Sequence, residues 1–167
     1  MRSVAEVPPL LKYVLAAALA AAAAVGLAVW GNRGSQVRLE VEQVKARTVG
    51  TDESSSLLIL ELRIRNPAQV PFVVRQVRMR ATAPGRGESD AMMVSEPDLD
   101  RVLDYYKHVG PRYNPTLKVK EKLAGGSQAD RTVAGSFPWP EGVLAARSGV
   151  TVEIEDVDGA VVRSRLP

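Results

Sequence analysis

Cysteine is absent from the chain. That excludes disulfides, thiolate metal sites, a lipid-modified cysteine and a cysteine nucleophile. Histidine occurs once, at position 108. Metal sites and general-base triads need histidine together with further ligands or an orienting group, so His108 is expected to be a polar residue near a helix end. Asp98, Asp100 and Asp104 lack the alternate-position spacing of a calcium loop, and Asp156-Val157-Asp158-Gly159 lacks the later acidic ligand. The chain has no P-loop, no Gly-x-Ser-x-Gly and no dinucleotide fingerprint. With no nucleophile-base-orienter set, no enzyme activity, cofactor or metal is expected.

A large excess of one charge is also missing. Removing Arg2, Lys12 and Glu6 from the 22 basic and 19 acidic residues leaves 20 and 18 for residues 31–167. A dedicated nucleic-acid binder carries a larger, clustered basic excess, so no nucleic-acid partner is expected.

What the chain does have is one long apolar run. Tyr13 to Trp30 is eighteen residues without a charge, nine of them alanine. As a helix it measures about 27 Å, close to the hydrocarbon thickness of a bilayer. Tyr13 and Trp30 stand at its two ends, where amphipathic rings favour the headgroup layer. The run is read as a single transmembrane helix, a signal anchor over 13–30. It is flanked by a short tail (1–12) and a polar tether (31–36). Two alternatives compete: a cleaved signal peptide with Ala-x-Ala sites around Ala20 to Ala24, and a buried soluble helix. The apolar run continues past those sites to Trp30, and a helix apolar on every face needs a larger core than this chain offers. The soluble domain is expected outside the membrane, in an extracytoplasmic (periplasmic) location, and the bilayer is an expected partner.

Residues 37–167 have the length of one ordinary domain. Val37 to Val49 alternates, with a change of phase between Val41 and Val44 that predicts a bulge. In Leu57 to Arg65, Leu58, Leu60, Leu62 and Ile64 share one face, while Glu61, Arg63 and Arg65 share the other. Phe72 to Thr82 is a partner strand, joined as a hairpin or a sandwich corner through Asn66-Pro67-Ala68-Gln69. Ala83 to Asp90 is a polar loop. Ser95, Pro97 and Asp98 open a helix. It carries Leu99, Val102, Leu103 and Tyr106 at helical spacing and stops at Gly110-Pro111, an insertion over 95–109. Strands are predicted at Thr116 to Leu123 and Thr132 to Phe137. A closing hairpin joins Val150 to Asp156 with Ala160 to Arg165 through Asp158-Gly159. Several short strands with turn signals predict a mainly β, antiparallel β-sandwich with one inserted helix.

The stretch Arg63 to Val74, R-I-R-N-P-A-Q-V-P-F-V-V, resembles the core motif of the WHy domain of type 2 late-embryogenesis-abundant proteins and their bacterial relatives. Asn66, Pro67, Pro71 and Phe72 match its Asn-Pro, later Pro and following apolar strand. Gly135 and Phe137, after Gly125-Gly126, resemble the Gly-x-Phe strand downstream. The resemblance implies an immunoglobulin- or fibronectin-like sandwich with a mostly non-enzymatic role, here on a bacterial membrane anchor. The helix over 95–109 departs from the family pattern. Read without the family, Asn66 bonds nearby backbone while the two prolines fix a corner.

Candidate contact residues are Arg63 with Arg65 on one strand face, Arg78 with Arg80 on another, Tyr105, Tyr106 and Trp139. Arginine, tyrosine and tryptophan are favoured interface anchors, although a solvated sheet face accounts for the arginines and core packing for much of the aromatic set. The first function expected is a non-enzymatic, single-span accessory or scaffold subunit, contacting other membrane-protein subunits. The alternative is a tethered binding module for a small ligand, lipid or surface polymer.

Overall fold

The computed structural model describes residues 13, 18–27 and 38–167. The chain divides into two compact units, Met1–Gln36 and Val37–Pro167. In the first, residues 18–27 are helical, with Leu19, Val25 and Leu27 exposed. Tyr13 is helical and 77% exposed. Trp30, the tail 1–12 and the tether 31–36 lie outside the described residues, as does much of the expected span 13–30. Among the described residues, no helix is long and apolar enough to cross a membrane.

The second unit is mainly β, in two antiparallel sheets. Nine strands follow in chain order: β1 (Glu40–Gly50), β2 (Ser56–Arg65), β3 (Phe72–Ala83), β4 (Gly87–Asp90), β5 (Met92–Met93), β6 (Lys122–Leu123), β7 (Gln128–Phe137), β8 (Gly149–Asp156) and β9 (Val161–Leu166). One sheet runs β1-β2-β7-β5 and the other β4-β3-β8-β9, with β6 on β3. The chain changes sheet between β2 and β3, and again at each step from β4 through β5, β6 and β7 to β8. The expected corner is therefore a sandwich corner, and β2 and β3 do not pair as a hairpin.

Alternation sets the main core. Leu58, Leu60, Leu62 and Ile64 of β2 meet Val74, Met79 and Ala81 of β3 and Val150, Val152 and Ile154 of β8. The expected phase change in β1 is a register shift between Gln43 and Lys45. A second, smaller core lies on the outer face of β2. There Leu57 and Ile59 pack with Val49, Ala134 and two helix residues, Leu99 and Leu103. The helix runs Glu96–Tyr105 and is followed by a 3-10 turn, Lys107–Val109. Its Ser95 cap accepts the Asp98 N–H and donates to Asp98 Oδ2 at 2.6 Å, the start signal seen in the sequence. Among the described residues, every buried member of both cores lies between Leu39 and Leu166.

Three elements differ from expectation. Thr116 to Leu123 is not one strand: Thr116 makes a single parallel bridge to Thr132, the chain turns at Lys120 (φ 67°), and only Lys122–Leu123 pair. Ala83 to Asp90 contains β4, and a five-residue helix occupies Glu141–Ala145. Both are too short to carry a periodic signal.

The Asn66 corner is knitted by side-chain bonds. Asn66 is buried; its Nδ2 donates to Val70 O (2.9 Å) and Leu123 O (3.1 Å), and its Oδ1 accepts the Ala68 N–H (3.1 Å). Gly125 lies against this corner so closely that a Cβ there would stand 2.4 Å from Gln69 O. Replacing Asn66 by alanine removes one buried hydrogen bond, to Leu123 O, and two half-buried ones, each worth about 1 kcal/mol. Asn66→Ala should therefore lose on the order of 3 kcal/mol in urea unfolding. Pro67→Ala, at an exposed turn position, should change stability by less than about 1 kcal/mol. Equal effects of the two substitutions would contradict the corner's role.

Candidate functional site

The arginines singled out in the sequence do not form one patch. Arg63 and Arg65 lie on β2 and Arg78 and Arg80 on β3, in different sheets. Each faces a carboxylate in register on the neighbouring strand. Arg63 forks onto Asp130 at 3.0 and 3.1 Å, and Arg65 reaches Glu40 at 3.3 Å. Arg78 donates to Glu153 at 2.8 Å, and Arg80 forks onto Asp90 at 2.7 and 3.2 Å. Opposite charges directly across a strand pair support the sheet, and they leave these arginines neutralised. Glu61, which shares the β2 face with Arg63 and Arg65, is buried and takes no part in these pairs.

Among the aromatics, Trp139 is buried and stacks on Phe137 with centroids 5.7 Å apart, which makes it a core residue. Tyr106 is half-buried against the second core, with its hydroxyl donating to Thr51 O at 3.3 Å. Tyr105 is 81% exposed and meets Tyr106 edge-on. His108 is exposed on the 3-10 turn. Among the described residues, no group of three or more histidines, aspartates or glutamates is placed to hold a metal. Asp156 instead shapes the last hairpin, its Oδ1 accepting from the N–H of Val73 (2.9 Å) and Val157 (2.8 Å).

The most organised polar cluster was not apparent from sequence. Glu61, on the outer face of β2, is 2% exposed. Its Oε1 accepts from Arg47 Nη2 at 2.5 Å and its Oε2 from Asn114 Nδ2 at 2.9 Å, with the Thr132 hydroxyl 2.7 Å away. Arg47 then donates through Nη1 to the carbonyls of Val109 (3.1 Å) and Pro111 (2.9 Å). The Tyr113 ring covers the pair, with Arg47 Cζ at 5.0 Å and Lys45 Nζ at 4.6 Å from its centroid. This ion pair from β1 and β2 clamps the segment that follows the helix onto the sheet. A signal for it exists in the sequence. Leu57 to Leu60 is apolar at every position, the pattern of a strand covered on both faces, which places Glu61 at the edge of a buried layer.

Beside the clamp lies a cleft of about 390 Å³, lined by β3 (Gln76, Val77), the β5-to-helix segment (Met93 to Glu96), residues 116–119 and β7 (Val133, Ala134). Val77, Met93, Leu117 and Val133 supply its apolar wall. At its rim Lys118 Nζ lies 2.6 Å from Glu96 Oε2, and Arg112 bonds the other Glu96 oxygen. The Lys118 and Arg112 bonds hold the Glu96 carboxyl below its ordinary value.

No protein-family model matches the chain, and no curated protein matches it in sequence. Two solved structures show a loose likeness. The archaellum periplasmic stator protein FlaG from Sulfolobus acidocaldarius is 11% identical with a TM-score of 0.36, over 77% of this chain and 99% of that one. The Iho670 flagellar-like filament is 15% identical with a TM-score of 0.31, over 96% and 98%. Similarity at this level transfers neither fold nor role.

Two outcomes follow from the geometry. Glu61→Ala leaves Arg47 buried without its partner and should cost about 3–5 kcal/mol, whereas the double replacement Arg47→Met with Glu61→Leu should be markedly milder than either single change. Additive losses in a denaturation cycle would contradict the clamp. Asp130, Asp90 and Glu153 are held below their ordinary values by hydrogen bonds from Arg63, Arg80 and Arg163. A carboxylate lowered in the folded state stabilises above its ordinary pKa and loses that contribution as pH falls. Tm should hold from pH 7 to 5 and drop below the ordinary Glu and Asp values of 4.5 and 3.8. A flat Tm through that window would contradict the pairing.

Proposed function

We propose that the protein is a non-enzymatic, single-span membrane protein whose sandwich is an accessory or scaffold subunit contacting other protein subunits outside the membrane. The observation that carries this reading is where exposed apolar surface gathers. Among the described residues of the sandwich, five large hydrophobic or aromatic side chains are more than half exposed. Four of them, Met92, Tyr105, Tyr113 and Val119, come from the insertion and its flanks; the fifth is Val44. Exposed tyrosine and methionine on a rigidly held segment suit a protein contact. The paired arginines leave little free charge for steering an acidic partner.

The strand orders support an immunoglobulin-like assignment. With β1, β2, β7 and β5 as A, B, E and D, and β3, β8 and β9 as C, F and G, they follow the constant-type pattern, with β4 added beside β3. Leu19, Val25 and Leu27, exposed on the helix of residues 18–27, suit a lipid environment and so the anchor, with the sandwich on the extracytoplasmic side. A second reading, a tethered binding module for a small ligand, lipid or surface polymer, is favoured by the apolar cleft.

Gentle detergent extraction followed by native mass measurement tests the first reading. The full chain should emerge with stoichiometric partner subunits, and the double variant Met92→Ser with Tyr105→Ser should release them without lowering Tm. A monomer, or a complex indifferent to the variant, would contradict the reading.

A further inference from the structure

We propose that the cleft between the two sheets binds a single-chain anionic amphiphile, with its alkyl tail against Val77, Leu117 and Val133 and its head group at Lys118. The proposal rests on the second reading, that the domain binds a small ligand, and narrows the ligand to one chemical class. The cavity of about 390 Å³ falls within the range that holds small molecules, about 300–1,000 Å³. Its walls come from both sheets and are aliphatic or thioether at the centre, with no aromatic ring. The neighbouring hydroxyls are already engaged: Thr116 Oγ1 accepts from Arg112 at 3.1 Å and Ser95 donates to Asp98. An apolar tail thus meets an apolar wall and displaces no structural hydrogen bond.

The rim supplies the head-group chemistry. Glu96 is shared by Lys118 and Arg112. Lys118 can turn to a ligand anion while Glu96 keeps Arg112, so no carboxylate is left without a cation. The Lys118 side chain is 59% exposed, so its ammonium reaches the cleft mouth from solvent. The rim also contains the start of the ten-residue helix, whose dipole favours negative charge. The exposed Val119 at the cleft mouth extends the apolar surface outward for a tail longer than the cleft. A fatty carboxylate and an anionic lysolipid share this chemistry.

The test uses the full chain in lipid nanodiscs and a ten-carbon carboxylic acid tipped with a photoreactive diazirine, mapped by peptide mass spectrometry. Label is expected on peptides carrying Val77, Leu117 and Val133. Competition by decanoate or by an anionic lysolipid identifies the source. Gln76→Trp and Val119→Trp, both at exposed positions, fill the cleft and should each reduce label there about tenfold. Label on the 13–30 segment serves as the internal reference and should not change. Lys118→Gln should weaken capture of the acid about tenfold while leaving the matching alcohol probe unaffected. Label confined to 13–30, or cleft label insensitive to all three variants, overturns the proposal. Native mass then separates the two failures: a bound mass without an alkyl chain leaves the second reading standing, and an empty protein removes both.

Discussion

Glu61 sits in the middle of a strand, on the face turned away from the main core, yet water does not reach it. A carboxylate in that position is tolerable only with a charge partner and further hydrogen bonds. Arg47 on the neighbouring strand supplies the charge, Asn114 supplies a donor, and the Thr132 hydroxyl lies within bonding distance. Arg47 has donors to spare and spends them on the carbonyls of Val109 and Pro111. One ion pair thereby ties two adjacent strands to a segment about sixty residues further along the chain. Removing either partner leaves a buried charge behind, which makes the docked insertion conditional on both.

The clamp gives the first sheet a third layer. Leu99 and Leu103 cover Leu57 and Ile59, so the outer face of β2 is closed where a two-layer sandwich would meet solvent. The other exits from the fold are guarded in different ways. β1 carries a register shift, β4 and β5 are four and two residues long, and β9 presents Arg163 and Arg165. Short, bulged or charged edges discourage strand-to-strand pairing with other chains. Exposed apolar side chains gather on the insertion and its flanks, where Met92, Tyr105, Tyr113 and Val119 project and the cleft opens beside β5. Residues 92–119 link the clamp, the exposed apolar side chains and part of the cleft wall in one region.

Much of the sandwich was legible because period-two alternation is a strong signal. The even face of β2, the inward face of β3, the bulge in β1 and the final hairpin all follow from it. The helix was legible through Ser95 and its apolar spacing. What alternation cannot convey is which outward face another element will cover. Glu61 was grouped with Arg63 and Arg65 because all three share a face, yet the helix shields the first half of that face and not the second. The unbroken apolar run Leu57 to Leu60 carried that information. Trp139, two residues beyond Phe137, stacks into the core, a packing that a Pro-Trp-Pro triplet does not reveal. The cleft has no sequence signature, since its walls come from four separated segments.

The central claim is that the buried Arg47–Glu61 pair holds the insertion on the sheet. Hydrogen–deuterium exchange of Arg47→Met tests it most directly. Amides of residues 96–116 should exchange much faster than in the unsubstituted protein, while those of β3 and β8, in the other sheet, keep their protection. Unchanged exchange over 96–116, or equal loss of protection in both sheets, would contradict the account.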